Sequence, residues 1–169
     1  MNIDWIVLLI ELAVSTVLFS AWVIFAGIKF KEKDVFNYPP DIQKVYFEKH
    51  PDINQKEVNG KQRIITKTIA MVVFAGIIIL MCWLANCKTF LDGFVFSLIF
   101  FGWIAAWDTF FLDWVIFANV KAFRLDGTEN MDKEYHQKWF HLKSVLFPAG
   151  PIFVAFSAII GLIVWALPF

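Results

Sequence analysis

The stretch from Gly93 to Val120, GFVFSLIFFGWIAAWDTFFLDWVIFANV, decides the fold class. Its only charged residues are Asp108 and Asp113. A helix of about 20 apolar residues is enough to cross the hydrocarbon core of a bilayer. This run is longer, so it predicts a transmembrane helix that tilts or protrudes.

Three further apolar runs cover residues 3–28, 64–86 and 145–168. The 169-residue chain is 59% hydrophobic, whereas soluble domains average about 45–50%. Backbone groups in lipid must be hydrogen-bonded within the protein, which favours helices. We therefore expect an all-α, integral membrane four-helix bundle that forms one transmembrane domain over residues 1–169. Asp4 and the length of the first run indicate a retained helix rather than a signal peptide.

The basic residues predict the orientation of these helices. Nine of the 15 Lys and Arg lie between residues 29 and 67, five lie between 121 and 143, and Lys88 is the last. Positive loops stay in the cytoplasm. Segments 29–63 and 121–144 are therefore predicted to be cytoplasmic, with both termini on the other side of the cell membrane.

The two cytoplasmic segments have patterns of short interfacial helices. Pro39-Pro40-Asp41 is typical of a helix start, and a second short helix is predicted over residues 52–58. In the other segment a helix should begin near residues 128–132. It would carry Tyr135, Trp139 and Leu142 on one stripe.

Glu11, Asp108 and Thr109 are polar residues at positions where the chain should be in hydrocarbon. An acid there is costly unless it faces protein or water, which makes Glu11 and Asp108 candidates for a proton or ligand site. The alternative is that each carboxyl group only joins helices. Ser15 would then be a local partner of Glu11.

Titratable side chains also gather at the predicted inner boundary. Asp113 is expected to pair with Lys67, His141 or Lys143, and to share hydrogen bonding with Thr109. Acid–base catalysis uses such groups, so the candidate catalytic residues are Asp108, Asp113, His136 and His141. No metal site is predicted, because the histidine spacing lacks a metal-binding pattern, and no cofactor is implied.

The third apolar run is expected at the centre of the bundle. Its small residues would form the packing face, and its aromatic residues would face lipid. The small set is Gly102, Ala105, Ala106, Thr109 and Asp113; the aromatic set is Phe100, Phe101, Phe110 and Phe111. Cys82 and Cys87 would point in different directions and act as small packing residues.

Three functions fit these features, and none has a decisive motif. The first is binding or modifying a lipid-like or small apolar substrate at the cytoplasmic leaflet. The second is proton or small-solute transport, which predicts a homo-oligomer because four helices are few for a pathway. The third is a non-enzymatic scaffold that docks a membrane partner subunit. The lipid bilayer is a partner in all three, and the absence of a basic face argues against nucleic acid.

Overall fold

The computed structural model describes residues 1–53 and 61–167, with side chains of residues 61–68 outside the description. Within those ranges the chain forms helices, turns and connections without a β-strand. The predicted all-α class is confirmed. The short helix predicted over residues 52–58 falls mostly outside the described residues.

In chain order, the α-helices of the described residues are α1 (Trp5–Lys29), α2 (Pro40–Lys49), α3 (Lys61–Leu84), α4 (Phe90–Trp107), α5 (Asp132–Tyr135), α6 (Lys138–Ser144) and α7 (Gly150–Ala166). Two π-helices extend them, Asp108–Phe117 after α4 and Val145–Ala149 before α7. Three helical stretches are long and apolar enough to cross a membrane: Trp5–Lys29, Phe90–Phe117 and Asp132–Ala166. Ile69–Leu84 is a shorter apolar helix.

The two ends of this assembly differ in how they are built. The turn end holds residues 1–4 and the α3–α4 connection, residues 85–89. There Asp4 caps α1 by accepting hydrogen bonds from two backbone N–H groups, and its own N–H donates to the Ala85 carbonyl at 2.8 Å. Thr89 and Asp92 form a reciprocal capping box at the start of α4. These bonds satisfy N–H groups that helix starts leave free.

The loop end holds residues 30–53 and residues 118–149. Here the two predicted cytoplasmic segments pack on each other around Val35, Ile42, Tyr46, Leu125 and Tyr135. The predicted start of α2 is confirmed, with Pro40 in its first turn. A helix begins at Asp132, within the predicted range, but the predicted continuous helix is wrong because two non-helical residues separate α5 from α6. The Tyr135 hydroxyl bonds inward to Thr128 at 2.7 Å, while Trp139 stays 79% exposed.

The α4 helix contacts α1, α3 and α7 and lies at the centre, as predicted. Its predicted packing face is correct at Thr109, which is buried, and wrong at Gly102, which is exposed. A Cβ at Gly102 would meet open space, whereas Phe100 and Phe101 are buried. The rings of Phe101 and Phe153 stack at 5.4 Å, so aromatic packing fills this interface. Phe110 and Phe111 are exposed, as predicted.

The closest approach of two helices involves glycines from α4 and α7. A Cβ on Gly93 would lie 2.9 Å from Val164 Cβ. A Cβ on Gly161 would lie 2.7 Å from the Phe90 carbonyl oxygen. Small residues of this kind let helix backbones approach closely. The helices are therefore in tightest contact at the turn end.

Candidate functional site

The hydrogen-bonding pattern of the third long helix changes at Asp108, where α4 continues as a π-helix. The backbone N–H of Ala118 bonds to the Asp113 carbonyl, five residues earlier. Residues five apart point about 140° away from each other in an α-helix. In a π-helix they lie about one turn apart. The π-helix thus places Asp108 and Asp113 on a similar side.

Asp113 pairs with His141 of α6. The distance from His141 Nδ1 to Asp113 Oδ2 is 3.0 Å, and the two side chains are 21% and 12% exposed. Of the three cations predicted as partners, His141 is the one that the structure places here; the side chain of Lys67 lies outside the description. A carboxylate at one ring nitrogen fixes the orientation of an imidazole. None of the described residues bonds to the other nitrogen, Nε2.

Asp108 lies near this pair without being bonded to it. Its carboxyl group interacts electrostatically with Asp113 and His141. It makes no hydrogen bond or ion pair with any side chain or backbone group of residues 1–53 and 61–167 that the structure describes. A partly buried acid without a protein partner is costly. Such a group is a candidate for contact with a ligand or water.

Asp108, Asp113 and His141 line a cavity of about 480 Å³ at the loop end. We call it the loop-end cavity. Its apolar lining comes from the last turns of α1, at Phe19, Trp22, Val23 and Ala26, and from Phe117, Phe123 and Phe140. Its volume falls within the range of about 300–1,000 Å³ found for small-molecule sites. Mostly apolar walls with a few polar groups are also typical of such sites.

Lys31, Asp34 and Tyr38 are among the further polar residues of the lining, with Asn37, Tyr135 and Ser144. The Lys31 ammonium donates to the Arg124 and Ala122 carbonyls at 2.7 and 3.1 Å. The Tyr38 hydroxyl donates to the Phe123 carbonyl at 2.8 Å. Burial, with the neighbouring Tyr135 and Asp34, raises the pKa of Tyr38 above its usual range. The phenol therefore stays neutral at physiological pH.

His136 is the predicted catalytic candidate that does not line the loop-end cavity. Its Nδ1 is 2.6 Å from the Asp132 carbonyl, and its Nε2 is 3.4 Å from Asn119 Oδ1. It borders a small crevice that Asp113, Trp114 and His141 also line. The structure therefore places three of the four residues predicted for acid–base chemistry in the loop-end cavity, and the fourth in a neighbouring crevice that shares two of them.

Thr109 and Glu11 also lie outside the cavity. The Thr109 hydroxyl is buried and has no hydrogen-bond partner among the described residues, so the predicted sharing with Asp113 is wrong. Both carboxyl oxygens of Glu11 are buried without a partner in the same part of the chain, so the predicted bond to Ser15 is wrong. Glu11 interacts electrostatically with Cys82 of α3.

Between Glu11 and Asp108, two indole groups of α4 bond to hydroxyl groups of α1. Trp103 Nε1 donates to Thr16 Oγ1, and Trp107 Nε1 donates to Ser20 Oγ, both at 2.9 Å. The same hydroxyls donate to carbonyls of α1, at Leu12 and Thr16, at 2.7 Å. An indole nitrogen is a donor only. These bonds therefore join two helices, and they do not form a relay for protons.

The cavity was only partly predictable from sequence. Lys31 and Tyr38 were not candidates, because a cation after an apolar helix and a tyrosine before two prolines are common features. Their role depends on the packing of two segments about 90 residues apart. The available signal was the concentration of aromatic residues in the second half of α1.

Comparison of the chain with protein-family models, curated proteins and solved structures gave no match. In the described ranges, no three His, Cys, Asp or Glu side chains are grouped so that they could hold a metal ion.

Proposed function

We propose that this chain is a multi-pass membrane protein that binds a lipid-like molecule in its loop-end cavity. In this proposal α1, α3, α4 with its π-helix, and α7 cross the bilayer, and the loop end faces the cytoplasm. The observation that supports this proposal is the carboxyl group of Asp108, which has no partner among the described residues, in a cavity that is also lined by aromatic side chains.

The apolar outer surface supports a membrane location. Ile6, Val17 and Trp22 of α1 are 64–72% exposed, and large apolar patches are rare on soluble monomers. The 24 residues of α3 span about 36 Å at 1.5 Å per residue, enough for a bilayer core. The excess of Lys and Arg at the loop end supports its cytoplasmic side.

The polar end of the cavity is suited to a head group that donates hydrogen bonds. Asp108 offers acceptor oxygens, and Asp113 adds negative charge beside it. The ammonium of Lys31 is held by two carbonyl groups, and the three acids of the lining, Asp34, Asp108 and Asp113, outnumber it. We therefore expect a hydroxyl or amine head group rather than a carboxylate.

The apolar wall is suited to the hydrocarbon part of the same ligand. Trp22 lines the cavity and is also 64% exposed, so α1 has both an inner and an outer apolar surface. A lipid tail can lie along such a surface without losing contact with the bilayer. The Asp113–His141 pair beside the head group would supply an acid–base function if the ligand is also modified.

The transport alternative receives less support from the same contacts. A proton path from Asp108 towards the turn end would pass the hydroxyls of Ser20 and Thr16. Each of these hydroxyls already donates to a backbone carbonyl and accepts from an indole. A relay group must both accept and release a proton, and an indole nitrogen cannot accept one.

Photo-crosslinking tests the binding proposal. The probe is a long-chain primary amine that carries a diazirine, added to protein in lipid nanodiscs, with a carboxylate of equal chain length for comparison. We expect the amine to crosslink to Phe19–Ala26 and Phe117. Asp108→Asn should reduce this adduct about tenfold, whereas Asp52→Asn, an exposed acid outside the cavity, should not change it. Equal labelling of all outward helix surfaces by both probes would contradict the proposal.

A further inference from the structure

The C-terminal end of α3 has the geometry of a Schellman motif. Asn86 adopts a left-handed conformation with φ of 58°. The Cys87 N–H bonds to the Cys82 carbonyl at 2.9 Å, and the Asn86 N–H bonds to the Trp83 carbonyl at 3.0 Å. These are the 6→1 and 5→2 bonds that define the motif. In it the side chains of the first and sixth residues commonly contact each other.

Both of those residues are cysteines. Cys82 and Cys87 are fully buried free cysteines, and the 6→1 bond between their backbones brings the two residues together. The expectation that they point in different directions is wrong, because the helix ends at Leu84 and the left-handed residue reverses the chain. Ile3 and Leu8 of the N-terminal region belong to the same apolar cluster.

We propose that Cys82 and Cys87 are a redox site that forms an intrachain disulfide. Each thiol loses its proton and one electron as the S–S bond forms. The two electrons and two protons pass to an oxidant of the disulfide class, which is reduced to two thiols. The inference rests on the proposed orientation, because the turn end would then face the non-cytoplasmic side, where disulfides persist.

The surrounding contacts indicate when oxidation takes place and what it does. Since both thiols are buried, the oxidant reacts before Ile3 and Leu8 pack on the pair, and the finished disulfide is shielded from reductants. The closed loop is short, so its effect on chain entropy is small. Its role is to fix the Ala85 carbonyl that anchors the Asp4 N–H at the start of α1.

The test is thiol counting by intact mass spectrometry. Membranes are solubilised in denaturant with N-ethylmaleimide, with and without prior reduction. We expect the wild-type chain to carry no maleimide before reduction and to be labelled on both cysteines after it. The Cys82→Ser variant should be labelled at Cys87 without reduction. Two labelled thiols in the unreduced wild-type chain would overturn the inference.

A second measurement separates this failure from failure of the proposed orientation. Lys88 is exposed beside the pair. In a background of Cys82→Ser and Cys87→Ser, a Lys88→Cys substitution is treated with a membrane-impermeant maleimide in intact cells. If this variant is labelled from outside and the wild-type chain has two free thiols in the first measurement, the disulfide is overturned and the orientation is not. Labelling only after permeabilisation overturns the orientation and the stated reason for oxidation.

Discussion

Buried acids at the two ends of the molecule have opposite surroundings. At the turn end, fully buried Asp92 accepts hydrogen bonds from the backbone N–H groups of Asn2, Lys88 and Thr89 at 2.9–3.2 Å. At the loop end, Asp108 lies in a cavity of about 480 Å³ and bonds to none of the described residues. The carboxylate of Asp92 therefore stabilises the local backbone, whereas the carboxyl group of Asp108 can contact a ligand.

This difference indicates how the molecule divides its tasks. The turn end combines capped helix starts with close glycine contacts, so it holds α1, α4 and α7 together. The loop end combines a π-helix with an incompletely bonded site, and π-helices are frequent at functional sites. The substitutions below test that division, from the largest expected effect to the smallest.

Gly161→Ala should have the largest effect on stability. Its Cβ would lie 2.7 Å from the Phe90 carbonyl oxygen, so the backbones must separate. Overpacking of this kind costs about 1–3 kcal/mol. Gly102→Ala is the matched control, because no atom lies within 4 Å of its Cβ position. Denaturant unfolding in detergent measures both, and equal stability of the two variants would contradict the close-contact role of the turn end.

Asp92→Asn and Asp108→Asn should separate structure from binding. Asp92→Asn replaces one acceptor oxygen by an NH₂ group facing backbone donors, which should lower the free energy of unfolding by about 1–3 kcal/mol. Asp108→Asn should leave the free energy of unfolding unchanged or raise it. The same variant should show the reduced crosslinking to the amine probe that is described above. If Asp108→Asn destabilises the protein as much as Asp92→Asn does, Asp108 is a structural residue and the comparison fails.

His141→Gln and His136→Gln compare a histidine of the cavity with one outside it. His141 touches Asp113 at 3.0 Å, so its loss should weaken amine-probe binding by about tenfold, or about 1.4 kcal/mol. His136→Gln should leave binding unchanged, because its hydrogen bonds are to the Asp132 carbonyl and Asn119. Titration of the probe by quantitative crosslinking measures both variants. An equal loss of binding in both variants would contradict a specific role of His141 in the loop-end cavity.

Tyr38→Phe should have the smallest effect at neutral pH, about 1 kcal/mol for the lost bond to the Phe123 carbonyl. Burial raises the pKa of Tyr38 above the usual range of a tyrosine. The unfolded chain therefore releases this proton first, and stability should fall as pH rises above about 10. Tyr38→Phe should flatten that fall without removing it, since burial also raises the pKa of Tyr46. Thermal unfolding from pH 8 to 11 measures it, and an identical slope in the variant would contradict the buried phenol.

The long apolar runs could be predicted from sequence because their signal is local. The helical class and the start of α2 follow from hydrophobic run length and proline placement. The π-helix could not be predicted in this way. Its effect on Asp108 and Asp113 depends on a change in backbone bonding that leaves the hydrophobic pattern intact.

Features that depend on distant contacts were missed for the same reason. Phe100 and Phe101 are as apolar as Phe110 and Phe111, and only the position of α7 decides which pair is buried. Lys31 and Tyr38 join the cavity through carbonyls of residues 122–124. The approach of Cys82 and Cys87 depends on the left-handed conformation of Asn86. That conformation could not be predicted, because the sequence pattern indicates one continuous helix over residues 64–86.

Native mass spectrometry of protein released from mild detergent tests the central claim most directly. The wild-type chain and the Asp108→Asn variant are compared after identical purification from the same membranes. The account predicts a retained amphipathic molecule with a hydroxyl or amine head group on the wild-type chain, and its loss from the variant. A ligand-free wild-type chain, or equal retention of the same molecule by both proteins, would contradict it.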